Sequence, residues 1–242
     1  SKAVEKSMKD ERLKTDLITN VSHDIKTPLT SIINYVDLLK RENIQDPKIQ
    51  GYLDILEAKA QRLKHLTEDV VEASKISSGN ITMEYMNINF VEMINQTTGE
   101  FAEKFEKRNL QIVLNVPEKP VMVRTDGRRM WRVIENIYNN AAKYALEGTR
   151  VYADLIEKEH TVEFSLKNIS EQPLNISADE LTERFIRGDV SRSTEGSGLG
   201  LSIAKNLTEL QGGKFELYLD GDLFKVTIVF PKAVVGQSVT KS

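Results

Sequence analysis

At 242 residues, with 40% hydrophobic and 29% charged side chains and a net charge of −3, the chain is long enough for two modest domains and has no basic excess to hold a nucleic-acid backbone. It contains no cysteine, which excludes a disulfide framework and thiolate zinc sites and fits a reducing compartment. No apolar run reaches the roughly 18 residues that a membrane span requires, so anchoring and sensing are expected to lie outside these residues.

The first element predicted is a long helix. Leu17, Val21, Ile25, Ile32, Val36 and Leu39 recur at spacings of three, four and seven, one apolar stripe with charged residues filling the rest. On it lies Ser22-His23-Asp24-Ile25-Lys26-Thr27-Pro28-Leu29. At about 100° per residue, His23 stands about 200° from Val21 and from Ile25 and so points to solvent. Asp24 is adjacent and is expected to hydrogen-bond one imidazole nitrogen, sharpening the other as a nucleophile; Thr27 stands one turn further along the same face. Pro28 in mid-helix costs roughly 3 kcal/mol and predicts a local bend beside His23.

Asn43 to Pro47 supplies turn chemistry, with Asp46 as N-cap and Pro47 at the first helical position. In the second helix Ile49, Leu56, Leu63 and Val70 fall seven apart with Leu53, Ala60, Leu66 and Ala73 interleaved, a coiled-coil-like seam ending near Ser77-Ser78-Gly79. Two long helices with a short connection make an antiparallel hairpin that exposes one apolar side. Pairing of two copies into a four-helix bundle, hence a homodimer, is expected.

From about Ile81 the pattern changes. Helices over 90–107, 128–145 and 199–210 alternate with strand-like segments over 110–116, 150–155 and 162–166, and 214–219 and 223–230 read as a hairpin around Asp220-Gly221. This is an α+β layer, one mixed sheet covered by helices. Within the second of these helices Asn136, Asn140 and Lys143 share a face: amide oxygens suit Mg²⁺, a lysine answers phosphate, and three asparagines in five positions are costly in a helix unless employed. Glu195-Gly196-Ser197-Gly198-Leu199-Gly200 runs into the next helix, and such glycines let backbone amides approach a phosphate at a helix N-terminus.

The octapeptide around His23 resembles the H-box of sensor histidine kinases of two-component systems. The Asn cluster, Phe185-Ile-Arg187 and the Gly-rich turn resemble, in order, the boxes of their GHKL (Bergerat-type) ATP-binding domain. The resemblance implies two domains: a dimerisation and phosphotransfer hairpin over 1–79, forming a dimeric four-helix bundle, and an α+β sandwich over 80–232 that binds ATP, with 233–242 a disordered tail. It implies that His23 is phosphorylated, Asp24 is the general base, Thr27 assists dephosphorylation of the partner, and Arg187 reaches the γ-phosphate. It further implies that Asn140 ligates Mg²⁺, that Asn136, Lys143, Gly196, Gly198, Leu199 and Gly200 meet the phosphates, and that Tyr144 lies against adenine. The segment 188–195 would be the ATP lid, residues 77–80 a hinge, and the partner a response-regulator receiver domain. The chain would be the cytoplasmic portion of a membrane-anchored bacterial protein.

One position departs from the family. An Asp-x-Gly-x-Gly element usually follows the central strand, its Asp accepting from the adenine amino group; here Asn168-Ile-Ser-Glu-Gln-Pro follows the strand over 162–167. An Asn oxygen can still accept that bond, without charge, and an Asn amide can flip where an Asp cannot, which predicts looser rejection of GTP. The rival reading is a non-catalytic dimerisation and docking module with a decayed nucleotide site. A chaperone- or topoisomerase-type ATPase would leave the His23 helix without a purpose.

Overall fold

The computed structural model describes residues 2–174 and 199–233. These fall into two compact units, one ending at Ile81 and the other beginning at Thr82 and taking in residues 200–233.

The first unit is a helical hairpin of α1 (Lys2–Arg41) and α2 (Pro47–Ser77). α1 runs unbroken through Pro28, which has no N–H to give the carbonyl of Asp24. At the connection Asn43 takes φ +53°, a left-handed turn that asparagine tolerates. Asp46 then caps α2 by accepting from the N–H of Lys48 at 2.8 Å, with Pro47 next in line. Lys40 ties the two helices beside this turn, reaching Asp54 at 3.0 Å as well as Glu57, and those carboxylates hold its ammonium above the ordinary lysine value. α2 ends where Gly79, at φ +68°, lets the N–H of Asn80 turn back to the carbonyl of Lys75 at 3.1 Å.

The apolar stripe predicted for α1 is not the seam of this hairpin. The buried positions are Thr15, Ser22, Leu29 and Val36, seven apart, and those of α2 include Leu53 and Ala60. Of the predicted stripe only Val36 is among them, while Leu17, Val21, Ile25, Ile32 and Leu39 stay exposed. In α2 the two interleaved rows part company: Leu53 and Ala60 turn inward, Ile49, Leu56, Leu63 and Val70 outward. A small polar residue, Ser22, sits in the seam where periodicity of hydrophobicity does not look for it.

The second unit is built on a five-stranded mixed sheet of order β2-β4-β5-β7-β6. β2 (Gln111–Asn115) and β4 (Arg150–Glu157) pair in parallel; β5 (Thr161–Ile169), β6 (Lys214–Asp220) and β7 (Leu223–Pro231) pair antiparallel, β6 and β7 as the predicted hairpin around Gly221 at φ +58°. Burial alternates along β4 and β7, so Val151, Ala153, Leu155, Phe224, Val226 and Ile228 form the inner face. Against the sheet lie α3 (Phe90–Glu106), α4 (Gly127–Tyr144) and α5 (Gly200–Leu210). Tyr138 of α4 is the hub: its ring stacks on Phe164 at 6.2 Å and tilts against Phe101 at 5.4 Å. Its hydroxyl shares a 2.8 Å hydrogen bond with Thr98, and burial pushes the phenol up to about 12.

Two strands were not expected from the sequence. β1 (Tyr85–Asn89) and β3 (Met122–Asp126) pair with each other, antiparallel, with Tyr85 opposite Asp126, and β3 also bridges from Val123 to Lys232. β1 is largely exposed, so it lacks the alternation that marks a half-buried strand. Their pairing delivers Asp126 to the start of α4.

Candidate functional site

On the hairpin, His23, Asp24 and Thr27 are all exposed, as the helical angles require. Among the described residues no hydrogen bond joins the Asp24 carboxylate to the His23 ring. Consecutive helix residues diverge by about 100° and do not face each other, so the expected contact is absent from this rotamer pair. The Thr27 hydroxyl donates to the carbonyl of His23 at 3.3 Å, a long bond that leaves its oxygen lone pairs outward.

In the α/β unit the Asn-bearing helix is positioned from both ends. At its start Asp126, buried, accepts from the N–H groups of Glu84 (2.9 Å) and Arg129 (3.1 Å), while its own N–H donates to Gln211 at 2.9 Å. Burial works against the carboxylate charge, but the donors from Glu84, Arg129 and Arg128 together with the Arg129 charge outweigh it and hold Asp126 below the ordinary carboxylate value.

Along α4 the apolar residues Met130, Val133, Ile134, Ile137 and Ala141 face the core, and Asn136 is buried beside them. Only 7% of Asn136 is exposed, its Oδ1 lies 3.3 Å from where a Cβ on Gly200 would stand, and its Nδ2 has no hydrogen-bond partner among the described residues. A side chain at Gly200 would press on the amide, which would have to shift by a few tenths of an ångström. A buried amide donor without an acceptor is costly, about 1–3 kcal/mol, which is the signature of a group kept for a ligand oxygen. Asn140 and Lys143 are half-buried on the adjoining turns, and the Lys143 ammonium lies 4.9 Å from the centroid of the Tyr144 ring. Among the described residues there is no cluster of three or more His, Asp or Glu.

Asn168 does not follow the central strand; it is part of it, paired with Phe224 one residue before β5 ends at Ile169. The side chain is 3% exposed and its Nδ2 donates to the carbonyl of Ile169 at 3.2 Å. A carbonyl only accepts, so the amide cannot flip without setting two oxygens against each other. In this arrangement Oδ1 is left as the acceptor of the amide, against the expectation of a freely flipping one.

Two cations on α3 and its end were not singled out from the sequence. Lys104 donates to the side-chain oxygen of Asn139; burial of its ammonium pushes it below the ordinary lysine value against the pull of Glu135, and the nearby charge of Lys143 adds to the depression. Arg108 donates to the carbonyls of Ala142 (2.8 Å) and Lys143 (2.7 Å) and to Glu171 (3.2 Å). No motif signals either, because each acts through a fold-dependent neighbour. Gly200 opens α5 and Leu199 directly precedes it. Arg187, Gly196, Gly198 and the segment 188–195 lie outside the described residues, as does the tail after 233.

Comparison with known proteins bears on both units. Residues 13–79 match the family model described as His Kinase A (phospho-acceptor) domain, and residues 125–234 match that of the Histidine kinase-, DNA gyrase B-, and HSP90-like ATPase. The sensor protein VanSC of Enterococcus gallinarum is 32% identical over 238 residues, an alignment covering 94% of this chain and 65% of that protein. Among solved structures, full-length ShkA in complex with AMPPNP superimposes with a TM-score of 0.75 at 19% identity, covering 92% of this chain and 47% of that one. Histidine kinase ThkA in complex with the response regulator protein TrrA gives 0.64 at 22% identity, covering 96% and 66%; at these identities both show the fold alone.

Proposed function

Because the chain belongs to the histidine kinases, with their phospho-acceptor region ahead of their ATPase region, we propose that it moves the γ-phosphoryl group of ATP onto His23 and from there onto an aspartate of a response-regulator receiver domain. In this reading residues 1–79 dimerise and carry the phosphoryl group, 80–232 bind nucleotide, and 233–242 are a tail. The chain spans 65% of VanSC, and no helix among the described residues is long and apolar enough to cross a membrane. Membrane anchoring and sensing are therefore assigned to segments other than those described, with this part on the cytoplasmic side.

The single observation that carries the nucleotide reading is the buried Nδ2 of Asn136, without a partner among the described residues, on an amide whose oxygen faces Gly200 at the head of α5. A phosphate oxygen supplies the missing acceptor, and Lys143 on the same face of the helix supplies positive charge. Asn140 would give Mg²⁺ its protein oxygen, and the ion, when bound, draws negative charge from the phosphates. Asn168 accepts from the adenine amino group through its fixed Oδ1, and Tyr144 lies against the ring. Gly196, Gly198, Leu199 and Gly200 face the phosphates, and Arg187 meets the γ-phosphate.

In the transfer, a lone pair on a His23 ring nitrogen attacks the γ-phosphorus in line with the β–γ bridging oxygen. The N–P bond forms, the P–O bond breaks, and its electron pair leaves with ADP. Asp24, once the two exposed side chains rotate together, takes up the ring proton. Thr27, its lone pairs outward from the His23 carbonyl, positions water for dephosphorylation of the regulator. The exposed rows Ile25, Ile32 and Leu39 of α1 and Leu56, Leu63 and Val70 of α2 are the surface that a second copy covers in a four-helix bundle. ThkA supports the receiver-domain partner, its structure being a complex with a response regulator, and ShkA supports the nucleotide.

A decayed, purely docking module is disfavoured by Asn168, whose amide nitrogen is engaged by the Ile169 carbonyl so that its oxygen is left to accept. The test is incubation with γ-labelled Mg-ATP: wild type should take up acid-labile label, and His23→Gln should take up none while binding Mg-ATP as before. Label persisting in His23→Gln would overturn the assignment.

A further inference from the structure

We infer that Arg108 is a positioning residue for nucleotide binding, which clamps the C-terminal end of the Asn-bearing helix α4 to the exit of β5 and so sets the direction of the Asn168 acceptor. The inference rests on the nucleotide reading above and concerns residues outside its motifs.

The starting point is how α4 ends. A helix leaves its last four carbonyls without helical donors, and many helices solve this with a left-handed glycine just past the end. Here the capping residue Ala145 is extended, at φ −66° and ψ 142°, and the nearest left-handed glycine, Gly148, comes three residues later. The carbonyls are satisfied from elsewhere. That of Ala141 accepts from the N–H of Ala145 at 3.0 Å. Those of Ala142 and Lys143 accept from one guanidinium nitrogen of Arg108, and that of Tyr144 accepts from the N–H of Glu171 at 2.8 Å. A cation at a helix C-terminus also opposes the negative end of the helix dipole.

The same joint runs on to Asn168. The other guanidinium nitrogen of Arg108 reaches the Glu171 carboxylate, and Glu171 lies three residues after Asn168. Ala145 bridges to Ser170, and the N–H of Leu146 donates to the carbonyl of Ile169 at 2.8 Å. That carbonyl is the group that holds the Asn168 amide. A connected series of bonds therefore leads from Arg108 through the end of α4 to Leu146, Ile169 and Asn168, and Tyr144 sits within it.

Lysine is a poor substitute because one ammonium lacks the planar fork that serves two carbonyls and a carboxylate together. The pairing with Glu171 is half-exposed, so its role is to orient the loop and its bare ion-pair strength is minor.

The experiment is calorimetric binding of Mg-ATP together with steady-state autophosphorylation on the full chain. Arg108→Ala should weaken binding and raise the KM for ATP by about tenfold, with kcat at saturating ATP kept within about twofold. Arg108→Lys should recover part of this, and Glu171→Gln, which keeps the backbone bond to Tyr144, should lose about two- to threefold. Lys107→Ala, at the same helix end but paired only with exposed Glu103, should bind like wild type. In an Asn168→Ala background Arg108→Ala should cost less than alone, since both act on one acceptor. Wild type failing to bind Mg-ATP would defeat the parent reading. Wild type binding normally while Arg108→Ala loses only melting temperature, or adds fully to Asn168→Ala, would defeat the clamp. Should Arg108→Ala not fold, unchanged affinity in both Arg108→Lys and Glu171→Gln would defeat it equally.

Discussion

The two units treat their apolar residues in opposite ways. In the hairpin Leu17 is 64% exposed and Ile32 51%, with Leu39, Leu56 and Leu63 close behind, whereas in the α/β unit Phe90, Tyr138, Phe164 and Ile228 are all but excluded from water. A single hairpin thus leaves most of its heptad positions wet, and in the dimer reading its stability is tied to a partner surface; the α/β unit closes its own core. The proposed chemistry divides along the same line. Exposed His23 lies on the hairpin, and the buried amides of Asn136 and Asn168 lie in the unit with a closed core.

The largest expected effect that would break this comparison is a core truncation. Phe164→Ala, at a fully buried site under the Tyr138 ring, should cost about 3–5 kcal/mol and unfold the α/β unit at any protein concentration. Leu56→Glu, at an outward position, should instead reduce association measured by analytical ultracentrifugation and make the hairpin melt at a lower temperature on dilution. Concentration-independent melting of the hairpin in wild type would contradict the dimer reading.

Next in size is Asn168. Asn168→Ala should lose about tenfold in Mg-ATP affinity by titration calorimetry. Because the Ile169 carbonyl fixes the amide, ATP should remain preferred over GTP, contrary to what a freely rotating amide implies. Asn168→Asp should bind no tighter than wild type, since it sets a carboxylate oxygen against that same carbonyl. A gain in affinity on Asn168→Asp would show that the amide is not so held.

A smaller effect follows from Asp126. Its folded-state value lies below the unfolded one, so its contribution to stability is present above the ordinary carboxylate range and is lost as pH falls through the lowered value. Asp126→Asn should cost about 1 kcal/mol at neutral pH and flatten the acid limb of the stability profile measured by denaturant melts. The smallest effect on phosphorylation is expected at Thr27. Thr27→Ala should leave autophosphorylation of His23 within about twofold while slowing loss of phosphate from the regulator, as followed by label retention. Wild-type rates of regulator dephosphorylation would remove that role.

Much of this was legible without coordinates. The β6–β7 hairpin around Gly221, the Asp46 cap, and the bounds of α3, α4 and α5 to within a residue or so all follow from local pattern. The reversed roles in α1 were not, because Ser22 is polar and Ile25 apolar while the fold buries the first and exposes the second. β1 and β3 escaped notice because two short strands outside the main sheet carry weak alternation.

What the sequence by itself determined is whatever depends on neighbours within a turn or two: which residues are helical, that His23 faces solvent, that Asn136, Asn140 and Lys143 share one face, and that Asp46 caps α2. Only the tertiary structure decided which heptad row lies inside the hairpin, that Asn136 is buried with no partner for its amide nitrogen among the described residues, that the Asn168 amide meets the Ile169 carbonyl, and that Arg108 finishes a helix 34 and 35 residues away. The physical reason is that an unsatisfied donor or carbonyl is answered by whatever group the fold brings within about 3 Å, and sequence separation carries no record of that distance.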